Sequence, residues 1–463
     1  MASVADLDHL SIHIESHNLV GYHSRDVHHP IRRSLPPAPA MSRAPLRVAV
    51  LGAGTVGREV VRALLDHPDR LCAADGAPLV LAGVACRDLA RARRSGIPAE
   101  LLTDAPAHLV AAPDTDIVVE LMGGAEPART LIAAALGAGK PVVTANKHVV
   151  AHHGPDLETV ARRAGVAFRF EAAVAGGIPV LGPLASDLAA NEVARVRGVV
   201  NGTTNFILSA MLRDGRPYAD VLADAQARGY AEDDPAGDVE GDDAVNKLVI
   251  LARLAFGRWL DPGSIGRRPP TVRGWGSPGI VGVTASELDA ASRVGLSIRL
   301  LATAARAGDG IAAAVLPTAV PADGSFGRTD GVTNRIEVTA SPLGTVELSG
   351  PGAGGEATSS AVLGDLLAVA RELSSTWAGL APAVGAATPA ADPLDLGRRW
   401  LVVIPATAAV DPRPSIDPAA GSLTDLGTSL VIRTEPHRLA GARAAVIPLV
   451  SAAANATLDP IDD

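Results

Sequence analysis

The stretch Leu46-Arg47-Val48-Ala49-Val50-Leu51-Gly52-Ala53-Gly54-Thr55-Val56-Gly57 decides the fold of this 463-residue chain. Its first six residues form a short apolar run that fits a buried strand. Gly52, Gly54 and Gly57 follow in the spacing G-x-G-x-x-G, and a helical pattern continues to about Leu65. Glycines between a strand and a helix permit a tight turn and let a pyrophosphate approach the backbone. The helix N-terminus then supplies free N–H groups and a positive dipole end. The spacing alone is a weak signal; its place after a strand and before a helix is what a dinucleotide site requires. A P-loop is excluded because no Gly-Lys-Ser/Thr follows, and no kinase catalytic element occurs downstream.

Working outward, strands fit residues 79–86, 117–121 and 141–144, and a helix fits 127–136. Such alternation predicts an α/β fold, a parallel sheet with helices on both faces. From about Glu171 the texture changes. Residues 171–178 (EAAVAGGI) are small and Gly-rich, and a strand over 193–200 runs into Asn201-Gly202-Thr203-Thr204-Asn205, which caps a helix. Helices are expected over 218–228 and 287–305, and the Gly-rich run 349–355 opens another that ends near Leu373. The reading is a Rossmann-type dinucleotide-binding domain over 46–171, completed by 350–374, with an α+β substrate and dimerisation domain over 172–349. Residues 1–45 read as a disordered leader ending in a Pro-rich run, with Met41 as an alternative start. Residues 375–395 read as a linker, and 396–463 as a small accessory region with short apolar runs at 400–404, 429–432 and 444–450.

Composition narrows the function classes. A formal net charge of −9 leaves no basic surplus to neutralise phosphates, so neither nucleic acid nor an anionic membrane is an expected partner. Two cysteines, Cys72 and Cys86, make no disulfide framework, which fits a reducing, cytoplasmic compartment. No uninterrupted apolar run is long enough to span a bilayer. Aromatic residues make up only 3%, so the core is built from Ala, Val, Leu and Ile. Six of the twelve histidines lie in the leader, where no carboxylate or cysteine constellation completes a metal site.

Three further features carry chemistry. The second strand ends at Arg87, with Arg91, Arg93 and Arg94 beyond it. An acid at that place favours NAD and an arginine favours NADP, so Arg87 is the candidate for a 2′-phosphate. Lys147, in Thr144-Ala145-Asn146-Lys147-His148, follows a strand of the same sheet, where open α/β sheets hold their ligands. Residues 229–251 (GYAEDDPAGDVEGDDAVNKLVIL) place Glu232, Asp238 and Asp243 before Lys247, and Asp243 and Lys247 are i,i+4 neighbours on a helix. This cluster suits a small zwitterion and a proton donor. The same residues also suit a solvated acidic loop with an ordinary helix salt bridge.

Taken together, Gly52–Gly57, residues 144–147, 171–178, NGTTNFIL at 201–208, E-x-D-P-x-x-D-x-x-G-x-D-x-x-x-K at 232–247 and the glycines of 350–355 resemble the homoserine dehydrogenases in order and spacing, over roughly residues 46–373. The resemblance implies reduction of L-aspartate 4-semialdehyde to L-homoserine with NADPH, or NADH as the alternative, in threonine, methionine and isoleucine biosynthesis. It implies Glu232 and Asp243 at the substrate with Asp238 nearby, Lys247 as proton donor and Lys147 at the cofactor–substrate junction. Ala53, Thr55 and Val56 match cofactor contacts in the glycine turn, and Gly229 and Gly354 match glycines that approach the cofactor from the other lobe. Glu171, Val174, Gly176 and Ile178 match a monovalent cation site for Na⁺ or K⁺. A homodimer or larger homo-oligomer is implied as well.

Two departures stand out. Residues 396–463 lack the strand, Gly-rich turn and helix entry of the threonine-sensing ACT domain that many relatives carry, so threonine feedback is not expected. The stretch 321–327 (PADGSFG) replaces a His-Pro-Leu-Ala element of relatives and reads as a loop difference. Two rivals are a non-catalytic NADP-binding regulator and a reductase of a related amino-acid semialdehyde. Lys147, Asp243 and Lys247 are all present, which counts against the first.

Overall fold

The computed structural model describes residues 44–448 apart from 69, 74–76, 272–273, 378, 384–387, 392–399, 406–421, 426–428 and 435–444. Nearly all of the expected leader and much of the accessory region lie outside the described residues. Strands β1 (Leu46–Leu51), β2 (Leu79–Ala85), β3 (Leu102–Thr103), β4 (Ile117–Glu120), β5 (Val142–Thr144) and β6 (Phe168–Arg169) form a parallel sheet in the order β3-β2-β1-β4-β5-β6. Helices cover both faces, which is why the central strands read as continuous apolar runs. On one face Val48 and Val50 pack with Val60, Val61 and Leu64 of the Thr55–Asp66 helix and with Val362 and Leu366 of the Gly355–Ala370 helix. On the other, Leu51, Val118 and Val142 join Ile132 and Val149. The strand order reverses between β1 and β4, and the crevice at their carboxyl ends is the switch point at which such sheets bind ligands.

A second, antiparallel sheet runs in the order Gly310–Pro321, Leu296–Ala307, Glu192–Val199, Thr333–Ser341, Gly344–Pro351. Here the sequence expectation fails at one element. The helix expected over 287–305 ends at Arg293, and Gly295 at φ +77° turns the chain. Leu296–Ala307 is a strand paired along its whole length with Gly310–Pro321. Its first seven residues are all buried, so it shows no period-two alternation, and an Ala- and Leu-rich run without that signal reads as helix. A third sheet joins the short strands Pro270–Thr271 and Gly274–Trp275 to Trp400–Pro405, Ser422–Asp425, Ser429–Thr434 and Ala445–Pro448.

The segment read as a linker is fastened to the body. The Ser375 and Thr376 hydroxyls accept from the backbone N–H groups of Phe168 and Phe170 at 3.0 and 3.1 Å. Trp377 is buried against the rings of both phenylalanines. Further on, Thr388 and Ala391 form bridges with Leu260 and Ala312.

Two helices carry the residues of greatest chemical interest, Lys147–Ala164 and Asp242–Phe256, and three polar rungs join them. Lys147 meets Asp243 at one end, and His152 Nε2 lies 3.1 Å from Asn246 Oδ1 in the middle. At the far end Glu158 pairs with Arg253, which is fully buried, through bonds of 2.7 and 3.0 Å. The order of the rungs makes the helices run in the same direction. Glu158 also accepts from Trp259 Nε1 and Arg162 Nε, each at 2.8 Å. Burial alone would raise the Glu158 carboxyl, yet these donors hold it below the ordinary carboxylate value. Its contribution to stability is therefore present at neutral pH and is lost as pH falls through the lowered folded value. Glu158→Gln is expected to lower the unfolding free energy by ~3–5 kcal/mol by stranding the buried guanidinium. Urea unfolding followed by circular dichroism measures this, and a change within the error of the wild-type curve would show that the pair carries no weight.

Candidate active site

The glycine turn forms one wall of the site. Gly52 takes φ +114°, and a Cβ there would lie 2.5 Å from the Leu121 carbonyl oxygen. A Cβ on Gly57 would lie 2.0 Å from the Gly52 carbonyl oxygen, so this helix can pack against the turn only with glycine. Around Gly54 the space is open. The Thr55–Asp66 helix has no side-chain cap and no acid in its first turn, so among the described residues no side chain caps its start. A helix start of this kind can cradle an anion. From the other side, Gly355 at the start of the Gly355–Ala370 helix sits so close that a Cβ would be 3.1 Å from Thr55. Gly354 beside it adopts φ +113°.

The cleft between these walls and the second sheet has a volume of about 620 Å³. Thr55, Val56, Lys147, Gly176, Gly229, Asp238, Asp243, Lys247 and Gly354 line it, together with Asn201, Thr203 and Tyr230. Asp243 is its electrostatic centre. Oδ1 lies 3.1 Å from Lys147 Nζ, while Oδ2 accepts from Lys247 Nζ at 2.7 Å and from Asn201 Nδ2 at 2.9 Å. Burial would raise this carboxyl, but the two ammonium groups overcome burial and hold it far below the usual range.

The lysines differ in environment. Lys247 is buried, and its ammonium also donates to the Val200 carbonyl at 2.6 Å. Two of its three hydrogens are thus committed and the third is left for the cleft. Burial pushes its pKa below the ordinary lysine value; Asp243 opposes this and the Lys147 charge adds to it. Lys147 keeps 40% of its side chain exposed, and Asp243 holds its pKa above the ordinary value, with smaller help from Asp238 and Glu232. One buried, acidified lysine beside one half-exposed, stabilised lysine is an arrangement for delivering a proton to an oxygen that gains charge.

The other sequence-picked residues fall around this centre. Asp238 accepts from Asn201 Nδ2 at 2.7 Å and from the Thr203 hydroxyl at 3.2 Å. Glu232 is exposed and outside the lining set. Among its acidic neighbours, Asp242 pairs with Arg267 away from the lysines. Arg87 is exposed just past β2, whose Ala85 carbonyl accepts from the Gly52 N–H at 2.8 Å, and so it flanks the glycine turn. Asp88, the acid next to it, is engaged in capping the following helix at Arg91 N. Glu171 lies behind the cleft. Its carboxylate accepts from the N–H groups of Val180, Leu181 and Gly182 at 2.7–2.9 Å, and burial pushes its pKa up. In the sequence Asn201 is legible only as a helix cap, and Tyr230 carries no signal of its own. The adjacent NGTTNFIL and GYAE runs were the available signals, but neither says that these side chains reach the aspartates or the mouth of the cleft.

Among the described residues there is no group of three or more His, Cys, Asp and Glu side chains able to hold a metal ion. Nor is any helix among them long and apolar enough to cross a membrane.

Comparison with known proteins agrees with this geometry. Residues 52–171 match the family profile "Homoserine dehydrogenase, NAD binding domain", and residues 179–367 match "Homoserine dehydrogenase". The chain is 46% identical over 332 residues to the homoserine dehydrogenase of Mycobacterium tuberculosis, covering 71% of this chain and 73% of that one. It is 44% identical over 329 residues to that of Corynebacterium glutamicum, with 70% and 72% covered. Among solved structures, a homoserine dehydrogenase from Thiobacillus denitrificans superposes with a TM-score of 0.77 at 32% identity, covering 89% of this chain and 99% of that one. A hyperthermophilic archaeal homoserine dehydrogenase in complex with NADPH gives 0.57 at 25% identity over 70% and 97%. Matched over both of its principal sheets and complete at the lysine–aspartate centre, the chain belongs to the homoserine dehydrogenases, NAD(P)-dependent oxidoreductases acting on a CH–OH group.

Proposed function

We propose that this protein reduces L-aspartate 4-semialdehyde to L-homoserine with NADPH as the preferred reductant and Lys247 as the proton donor, within threonine, methionine and isoleucine biosynthesis. The observation that carries the reading is the Asp243 carboxylate held between Lys147 and Lys247 in the cleft that faces the glycine turn. Bound NADPH supplies a hydride to the aldehyde carbon. The carbonyl oxygen gains negative charge as that carbon is reduced, and the free hydrogen of Lys247 stabilises and then protonates it. Lys147 adds a second positive charge at the junction of the two lobes. Glu232 and Asp243, with Asp238 nearby, hold the substrate, whose α-ammonium suits charge-assisted bonds to carboxylates. Asp243, with its lone pairs largely taken by Lys147, Lys247 and Asn201, keeps the lysines in place as well as bordering the substrate.

The preference for NADPH rests on Arg87 beside the glycine turn and on Asp88 being turned to its helix cap. The archaeal relative solved with NADPH lends the same reading support. Ala53, Gly54, Thr55 and Val56 serve the pyrophosphate, and Gly229 and Gly354 close on it from the other lobe. For the monovalent cation, Glu171 brings a carboxylate, and among the described residues no backbone N–H donates to the carbonyls of Val174, Gly176 or Ile178. These are hard oxygen donors of the kind Na⁺ and K⁺ take, although three bonds to the Leu181–Ala185 helix entry already occupy most of the carboxylate. A cytoplasmic homodimer or larger homo-oligomer belongs to the same reading.

Oxidation of NADPH with L-aspartate 4-semialdehyde, followed at 340 nm, tests the reading; turnover confined to another aldehyde would overturn it. Lys247→Arg keeps the charge and loses the transferable proton, so kcat should fall ~10²-fold or more while semialdehyde binding persists. Because reduction needs Lys247 protonated and its pKa is lowered, wild-type kcat should decline as pH rises through a midpoint below the ~10.4 of free lysine. Arg87→Ala should raise KM for NADPH ~10–100-fold, as loss of charge-assisted bonds does, and leave NADH kinetics unchanged. Equal effects on the two cofactors would remove Arg87 from the 2′-phosphate.

A further inference from the structure

Asn201 sits where the Glu192–Val199 strand runs into the Gly202–Asp214 helix, and it is buried at the floor of the cleft. Its oxygen is fixed by two donors, the Thr204 N–H at 2.8 Å and the Thr204 hydroxyl at 3.0 Å. The amide therefore has one orientation: the flipped form would set its NH2 against the Thr204 N–H and its oxygen against two carboxylates. Held this way, Nδ2 gives one hydrogen to Asp238 Oδ1 at 2.7 Å and the other to Asp243 Oδ2 at 2.9 Å.

We infer that Asn201 is a positioning residue for the reaction: its carboxamide bridges the Asp238 and Asp243 carboxylates and holds them in register with the two lysines. The inference rests on the reading of Lys247 as proton donor. Two carboxylates reaching one nitrogen would otherwise repel and move apart. The groups facing the amide are Asp238 on the Ala236–Val239 helix, Asp243 and Lys247 on the next helix, with Lys147 beyond Asp243; Glu232, outside the cleft lining, acts on Lys147 by charge alone. A neutral donor with two hydrogens is the one side-chain type that bonds both acids without changing their charge. Serine keeps an oxygen for the helix cap but cannot bridge; aspartate keeps the cap and adds a third negative charge.

That difference separates positioning from capping. Asn201→Ser and Asn201→Asp both retain a cap and should keep thermal midpoints within a few degrees of wild type and an unaltered KM for NADPH. In both, kcat per folded molecule should fall ~10²-fold, the cost of reacting groups displaced by about 1 Å. Only Asn201→Asp should gain an acidic limb in its kcat–pH profile, as the enlarged carboxylate cluster takes up a proton. A third readout needs no turnover. The pH dependence of reductive methylation at Lys147, read by peptide mass spectrometry, should move to higher pH in Asn201→Asp and stay near wild type in Asn201→Ser. If the wild type fails to reduce the semialdehyde while the methylation midpoint still shifts, the functional reading fails and the bridging role stands. Wild-type kcat and pH profile in both folded variants, or an unmoved methylation midpoint in Asn201→Asp, would overturn the inference.

Discussion

A single ionised carboxylate organises the functional half of this molecule. Asp243 is almost wholly enclosed, and a buried charge survives only if its surroundings replace the lost water. They do so with two ammonium groups and one carboxamide, each arriving from a different element: Lys147 from the helix after β5, Lys247 from Asp243's own helix, and Asn201 from the strand-to-helix corner of the second sheet. The site therefore forms only when both sheets are in place.

The two lysine-bearing helices are aligned over their length and not at the site alone. The rungs at His152–Asn246 and Glu158–Arg253 lie progressively farther from the cleft, and the last is buried with Trp259 closed over it. A buried ion pair is a poor source of net stability compared with well-packed apolar residues, but it tolerates little displacement. Here that intolerance fixes the sliding of one helix along the other, and with it the separation of the two lysines at their N-terminal ends.

Legibility in the sequence followed the range of the interactions. The glycine turn was readable because much of its constraint is local: Gly57 is dictated by the Gly52 carbonyl and Gly52 by its own positive φ, with the Leu121 carbonyl past β4 closing on it through space. The i,i+4 pair Asp243–Lys247 was readable for the same reason. The 287–305 region misled because a strand buried in a sheet interior loses the alternation that identifies strands. Ser375, Thr376 and Trp377 looked like linker because their partners, Phe168 and Phe170, lie some two hundred positions earlier. Asn201 read as a cap, which it is. Nothing local disclosed that its nitrogen also meets Asp238 and Asp243.

By itself, then, the sequence determined the α/β dinucleotide-binding architecture, the family resemblance and the residue types of the site, because short-range periodicity, turn chemistry and motif spacing specify those. The tertiary structure alone decided how the charges are divided. Burial lowers one lysine, a shared aspartate raises the other, and a long-range amide bonds both neighbouring acids. Desolvation and Coulomb interaction depend on distances through space, and those are set only when elements far apart in the chain pack together.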